Sequence, residues 1–236
     1  GAEEQSAFRH YERVLELDAF NSEAAEALAQ RYLEDERPTE TRRVLELRLE
    51  AFDRADLTDL DLQAERDAIR LRLADLLSGP LEEPQAAREH YEALRGVSDC
   101  SARVLEPLAL IYESEKDPAA LSALAREVLA SGSPRQDEMI WRRRLAGSEY
   151  DQGHLEEAAM AYRDALKKSP ADRELEDALI KIYEARDEFE PLAKLLEKRL
   201  EFADWNESTE LHLRLSHVHA KGLGAPNQAL SHLESV

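Results

Sequence analysis

Apolar positions recur along this chain at steps of three and four, with charged residues between them. Ala7, Tyr11 and Val14 open the series, followed by Leu28, Ala29, Tyr32 and Leu45. The middle carries Leu108, Ala109, Tyr112, Leu121, Ala125 and Val128, and a later stretch carries Leu179, Tyr183, Phe189, Leu192 and Leu196. Such spacing places one apolar stripe along a helix of 3.6 residues per turn. The clearest segment is 139–170. Leu145, Ala146 and Tyr150 stripe one helix, Gly153 breaks it, Ala158, Tyr162 and Ala165 stripe the next, and Pro170 closes it. Ala146 and Ala158 are small enough to let two helix backbones approach closely, with Tyr162 filling the gap beside them. Asp117-Pro118 and Ser133-Pro134 each set an N-cap before a first-turn proline, and Pro191 and Pro226 are tolerable for the same reason. Pro107 falls inside a helix by this register, which predicts a late helix start or a kink near Arg103. About thirteen helices are expected.

A longer echo overlies the short one. Val44-Leu-Glu-Leu-Arg-Leu-Glu50 matches Leu195-Leu-Glu-Lys-Arg-Leu-Glu201, at the same distance from Tyr32 and Tyr183 respectively. Downstream, Arg72-Leu73, Leu81, Pro84, Ala87 and His90 are matched by Arg214-Leu215, Leu223, Pro226, Ala229 and His232, after a loop nine residues shorter. A block of two helix pairs has been used twice, with the more regular segment 139–170 between the copies.

Segment 139–170 resembles one complete tetratricopeptide repeat, whose period is about 34 residues. Two positions depart from the family pattern: Arg142 stands where a Trp is usual, and Glu149 where the first of two aromatics is frequent, with Tyr150 as the second. The resemblance implies an all-α fold of antiparallel helix pairs stacked in a right-handed superhelical solenoid, here a single one over 1–236. The first helix appears without its partner and the chain stops about two turns after Pro226, so a fragment of a longer array is expected. The resemblance also implies that the first helix of each pair lines a concave groove for peptides or partner helices. In this register the groove residues are Glu23, Glu26 and Gln30; Arg103, Glu106 and Leu110; Ile140, Arg143, Gly147 and Tyr150; and Glu174, Asp177, Lys181 and Glu184. Arg143 could hold a carboxylate of a partner beside Tyr150; the alternative is that Arg143 pairs with Glu106 or Glu174 and Tyr150 seals two helices. The subtype that clamps a terminal dicarboxylate uses Lys and Asn. Glu26 and Gln30 in the first repeat disfavour it.

Composition agrees with the pattern. The 236 residues include 35 Ala, 37 Leu and 34 Glu, all strong helix formers, against 16 Val, Ile and Thr, too few for a large sheet. Only 14 aromatics suit a thin stack of helices better than one large core. The formal net charge is −20, which argues against nucleic acid and anionic lipid and favours basic or Arg-bearing protein partners. Charge is uneven: residues 1–60 carry −8 and residues 172–210 carry −7, while 134–168 is neutral and contains Arg142, Arg143 and Arg144. Cations are 24 Arg and 7 Lys, a skew common in GC-rich bacterial genomes. One cysteine, Cys100, excludes an internal disulfide. No apolar run reaches the length of a membrane span, and the cytoplasm is the expected compartment.

Candidate chemistry is sparse. His212, His217 and His219 have spacings of five, two and seven, and only His212 and His219 share a helix face, so packed or solvated positions are preferred to a metal site. Gly222-Leu-Gly224 lacks a third glycine and a preceding strand, and reads as a turn before Pro226. Gly132-Ser133-Pro134 lacks the strand of a nucleophile elbow and reads as a cap. Cys100 has no recognisable companion histidine. The expectation is a non-enzymatic scaffold without cofactor or metal, presenting an acidic groove to a protein or peptide with a basic or mixed-charge segment. The alternative is an architectural spacer or self-association segment whose ends stack on further repeats.

Overall fold

The computed structural model describes residues 2–132 and 138–236, with side chains described for these except at 2–6 and 98–101. The Ser133-Pro134 cap and the side chain of Cys100 therefore lie outside the described residues. The chain forms two compact units, Gly1–Lys116 and Asp117–Val236. The first contains α1 (Ala2–Leu17), α2 (Ser22–Glu34), α3 (Pro38–Arg54), α4 (Leu60–Ser78), α5 (Pro84–Leu94) and α6 (Ser98–Glu115). The second contains α7 (Pro118–Ala130), α8 (Glu138–Asp151), α9 (Leu155–Lys168), α10 (Arg173–Ala185), α11 (Phe189–Leu200), α12 (Trp205–His217), a π turn (Val218–Gly222) and α13 (Pro226–Glu234). No strand occurs among the described residues. Within each unit every helix packs chiefly on its neighbours in sequence, the pattern of a helical repeat rather than of a closed globule.

Two kinds of residue set where the helices begin. α2, α4, α10 and α12 begin after an Asn or Asp whose side chain accepts a first-turn N–H: Asn21 from Ala24 at 2.9 Å, Asp59 from Asp61 at 2.8 Å, Asp172 from Leu175 at 3.4 Å and Asp204 from Glu207 at 2.9 Å. α3, α5, α7 and α13 instead begin with a proline, whose missing N–H would be unpaired there anyway. Asp117 supplies both devices, accepting from Ala120 at 3.0 Å one residue before Pro118. The hairpins entering α3, α5, α9, α11 and α13 each turn on one left-handed residue: Glu36, Glu82, Gly153, Asp187 and Gly224, with φ between 54° and 78°. Lys116 adopts the same conformation.

Packing follows the sequence stripes. Leu15, Ala24, Ala25, Leu28, Tyr32 and Val44 form one core, against which Phe8, Tyr11 and Val14 of α1 pack. In the second unit Ala158, Leu179, Ile182, Tyr183, Leu192, Leu196, Leu211 and Leu215 form another, with Tyr162 and Phe189 beside them. Ala146 and Ala158 are fully buried, as close helix approach requires. Each buried tyrosine hydroxyl of the first unit finds a carboxylate: Tyr32 donates to Glu12 at 2.8 Å, Tyr91 to Asp75 at 2.8 Å and Tyr112 to Glu92 at 3.0 Å. Burial first, and then the hydrogen bond to the carboxylate, pushes the Tyr32 and Tyr112 phenols up to about 12.

Of the two expectations for Pro107, the late start does not occur: α6 starts at Ser98 and runs through Pro107 to Glu115, and the bond that Pro107 has no N–H to give to Arg103 is forgone. In α8 the buried aromatic is Trp141, one residue before the position where the family usually carries Trp. Arg142 turns outward onto Glu138 at 2.7 Å, while the Arg144 guanidinium covers the Trp141 ring at 4.8 Å.

The internal echo is structural as well. Tyr32, Arg48, Glu65, Arg72 and Pro84 of the first copy occupy the places of Tyr183, Arg199, Glu207, Arg214 and Pro226 in the second. Arg48 donates to Glu65 at 2.5 Å, and its counterpart Arg199 donates to Glu207 at 2.7 Å. The left-handed turn residues Glu36 and Glu82 correspond to Asp187 and Gly224.

Candidate protein-binding face

The first helices of successive pairs are α2 and α4, with α6 following, in the first unit, and α8, α10 and α12 in the second. All the expected groove residues lie on these helices, and nearly all are exposed: Glu23, Glu26 and Gln30 on α2; Arg103, Glu106 and Leu110 on α6; Ile140, Arg143 and Tyr150 on α8; Glu174, Asp177, Lys181 and Glu184 on α10. Gly147 is half-buried, and a Cβ there would meet only the Tyr162 hydroxyl, at 3.9 Å.

Adjacent first helices are tied by ion pairs across this face. Glu26 pairs with Arg72 of α4, and Asp75 of α4 accepts from Arg103 of α6 at 3.0 Å. Arg143 grips both Asp172 and Glu174, the latter at 2.8 Å, and Glu184 accepts from Arg214 of α12 at 2.5 Å. Arg173 reaches Glu207, and Asp177 is held by Arg199 of α11. Gln30 spans one turn of its own helix to Glu34 at 3.0 Å. Arg143 thus takes the partner Glu174 that the sequence offered as one alternative, with Asp172 added. The guanidiniums neutralise much of the acidity of the face: Glu26, Asp75, Asp172, Glu174, Asp177, Glu184 and Glu207 each have an arginine in reach. Exposed pairs of this type contribute about 0.2–1 kcal/mol each, so they can be exchanged for a partner's charges at small cost.

Between these helices lie clefts. One of about 350 Å³ is lined by Tyr150, Tyr162, Glu174, Asp177, Ala178 and Lys181. A second, of about 610 Å³, has an apolar floor of Phe189, Leu192, Leu213 and Val218 beneath Glu184, Arg214 and Lys221. A third, of about 340 Å³, is formed by Leu33, Thr41, Leu45, Arg72, Asp75, Leu76 and Pro80. The second and third are one cleft in two copies: Glu184, Leu192, Arg214, His217 and Val218 stand where the first copy has Leu33, Thr41, Arg72, Asp75 and Leu76. The sequence reading missed α4 and α12 as contributors, although the repeated Arg72-Leu73 and Arg214-Leu215 marked them. It also assigned Glu149 to an aromatic position. Its carboxylate is in fact buried, gripped by Arg126 of α7 and bonded to His154 Nδ1 at 3.0 Å.

The histidines divide differently from expectation. His217 lines the α10–α12 cleft. His212 and His219 come together with two residues the sequence did not single out, His232 of α13 and Glu197 of α11. His212 Nδ1 and His232 Nδ1 are 3.0 Å apart, the His219 and His232 rings stack at 5.3 Å, and His219 Nε2 lies 3.7 Å from Glu197 Oε1. Burial, and after it the neighbouring rings of His219 and His212, holds His232 below the ordinary histidine range.

No family model matches the chain, and no curated protein matches it in sequence. Solved structures match it as folds. The C-terminal part of a TPR repeat-containing protein from Cytophaga hutchinsonii is similar over 98% of this chain and 89% of that one, at 13% identity and a TM-score of 0.50. The human IFIT1 dimer with m7Gppp-AAAA is similar over 98% of this chain at 14% identity and a TM-score of 0.41, and the APC/C hetero-tetramer Cut9–Hcn1 over 91% at 13% and 0.41. This chain spans 54% of the matched IFIT1 chain and 39% of the matched chain in the Cut9–Hcn1 complex. The fold class is therefore an all-α helical-repeat solenoid, and within that class it is tetratricopeptide-like. Among the described residues no helix is long and apolar enough to cross a membrane.

Proposed function

We propose that this chain is a non-enzymatic scaffold that holds an extended or helical segment of another protein along its first-helix faces. The observation that carries this reading is the recurrence of one cleft in both internal copies, each with an apolar floor and an arginine at its rim, Arg72 or Arg214. A fold that only needed to stack would have no use for the same open cleft twice. The partner is a protein with aliphatic or aromatic anchors among basic or mixed charges. The anchors fill the clefts, and its cations take over acids such as Glu184 and Asp177 from Arg214 and Arg199. The net charge of −20 supports this choice over nucleic acid. The expected face runs through Glu23, Glu26, Gln30, Arg103, Glu106 and Leu110 in the first unit and through Ile140, Arg143, Gly147, Tyr150, Glu174, Asp177, Lys181 and Glu184 in the second.

Lysine-directed cross-linking during a pull-down tests this, because Lys181 and Lys221 line two of the three clefts described above and Lys167 and Lys194 line none of the three. A partner seated in the clefts cross-links to Lys181 or Lys221, and its capture falls at least tenfold with Tyr150→Ala/Leu213→Glu. A partner that cross-links elsewhere and is unaffected by the double variant removes the groove reading. Exposed Leu230 and Leu233 on α13 favour a second reading, self-association or stacking on further repeats. Concentration-dependent sedimentation that Leu230→Glu/Leu233→Glu abolishes would support it.

A further inference from the structure

We propose that Glu197, His219 and His232 form a zinc-type transition-metal site in the second unit, with His212 as the residue that orients His232. The three prospective ligand atoms lie within 4.8 Å of one another. In a tetrahedral zinc site with bonds of about 2.0–2.2 Å, ligand atoms stand roughly 3.3–3.5 Å apart. The 3.7 Å between His219 Nε2 and Glu197 Oε1 is close to that already. Binding would draw the three atoms together and turn the nearly parallel His219 and His232 rings so that both lone pairs meet the ion.

The second observation is a polar group that the fold leaves without a bond. His219 is 5% exposed, and among the described residues neither of its ring nitrogens has a hydrogen-bond partner. A buried donor or acceptor without a partner is destabilising, and such groups in native proteins call for an explanation. Packing does not supply one. The equivalent position in the first copy is Leu77, buried at 1%. The turn that follows closes alike in both copies, although Leu77 ends an α-helix and His219 lies in a π turn: Glu83 N–H bonds Leu77 C=O at 2.7 Å, and Ala225 N–H bonds His219 C=O at 2.8 Å. The site accepts a leucine, yet here it carries an imidazole aimed at a carboxylate and another imidazole. His212 replaces Arg70 of the first copy, whereas Glu197 and His232 have counterparts in Glu46 and His90. Two substitutions, both to histidine, complete the cluster in one copy alone.

The His212–His232 contact supplies the outer support such sites use. With His232 donating from Nδ1 to His212 Nδ1, its Nε2 keeps the lone pair that a metal takes, and the ring is fixed in orientation. Two imidazoles and a carboxylate select zinc-like ions over magnesium and calcium, which prefer oxygen ligands alone. A bound ion joins α11, the π turn and α13, so it is expected to stabilise the second unit.

The test is equilibrium dialysis of the whole chain, freed of metal by chelator, against zinc chloride with magnesium chloride present in excess. The wild type is expected to retain one zinc per chain at micromolar free zinc and to melt higher with zinc than without. His219→Leu, which restores the residue of the first copy, is expected to fold with unchanged circular dichroism and to bind at least 100-fold more weakly. His217→Ala serves as control and is expected to bind as the wild type does. His212→Ala is expected to lose about 10–100-fold in zinc affinity, the range for removal of an outer-shell partner. Zinc retained equally by His219→Leu, or no zinc retained by the wild type, overturns the proposal.

Discussion

At the scale of single residues, the hairpins state the fold's demands most plainly. Each needs one left-handed residue, and the sequence supplies glycine at Gly153 and Gly224 but glutamate or aspartate at Glu36, Glu82 and Asp187. A side chain in this conformation costs about 1–2 kcal/mol. Nothing lies within 4 Å of a Cβ built on Gly153, so Gly153→Ala isolates the backbone term. We expect that variant to lose about 1–2 kcal/mol in urea unfolding with unchanged dependence on denaturant. Gly222 is glycine for another reason. An added Cβ would stand 2.1 Å from the Phe189 ring, and the first copy fills the same pair of places with Pro80 and Pro38. The turn at Gly153 was legible because glycine and helix period coincide there. Trp141 and Glu149 were not. Trp141 lies one step, about 100° of rotation, from the family's Trp position at 142, and buried Ala146, Ala158 and Ala165 keep that register, so the pattern gave no sign of its burial. Arg126, which makes burial of Glu149 tolerable, is distant in sequence.

Elements show what duplication keeps and what it changes. Arg48 and Arg199 are equivalent and each holds an equivalent glutamate, but Arg48 is 2% exposed and Arg199 16%. Removing the acid should therefore have unequal effects. Glu65→Gln keeps an acceptor beside Arg48 but leaves the buried guanidinium without its counter-charge, held otherwise by the Ala19 carbonyl at 3.4 Å and the Phe52 ring, a loss on the order of 3 kcal/mol. Glu207→Gln breaks a more hydrated pair and is expected to cost about 0.5–1 kcal/mol. Equal losses in chemical denaturation would contradict this account. Acid should treat the second variant in a defined way. The Arg199 hydrogen bond first, and Arg173 after it, hold the Glu207 carboxyl below the ordinary glutamate range, although partial burial opposes them. A carboxyl lower in the fold than in the unfolded chain contributes stability above its unfolded value and loses it as pH falls through the depressed one. The gap between wild type and Glu207→Gln, open at pH 7, should close in acid. The echo of Arg72-Leu73 in Arg214-Leu215 made the copies readable from sequence. The ion pairs, the shared cleft and the histidine cluster were not readable, because each joins helices whose register only the packing sets.

For the molecule as a whole, the question is which electrostatic term governs stability. Acids outnumber bases by 20, yet most described arginines sit within 4 Å of a carboxylate. The two facts predict opposite responses to salt. Screening of contact pairs would destabilise the fold, whereas screening of the unmatched acids would stabilise it. Distance decides between them. The screening length is about 30 Å at 0.01 M salt and about 8 Å at 0.15 M, so a pair at 2.5–3.0 Å lies well inside it at both strengths. Repulsion among acids a helix or more apart lies between the two lengths and is the term that salt removes. The melting temperature should therefore rise as sodium chloride goes from about 0.01 to about 0.15 M. Its rise should be smaller in a variant with two exposed acids neutralised that have no cation within 4 Å among the described residues, such as Glu23→Gln/Glu190→Gln. A melting temperature that falls over this range would mean that the arginine ladder, and not the excess charge, dominates. Binding of a basic partner would then have to break a stabilising network rather than relieve a strained one.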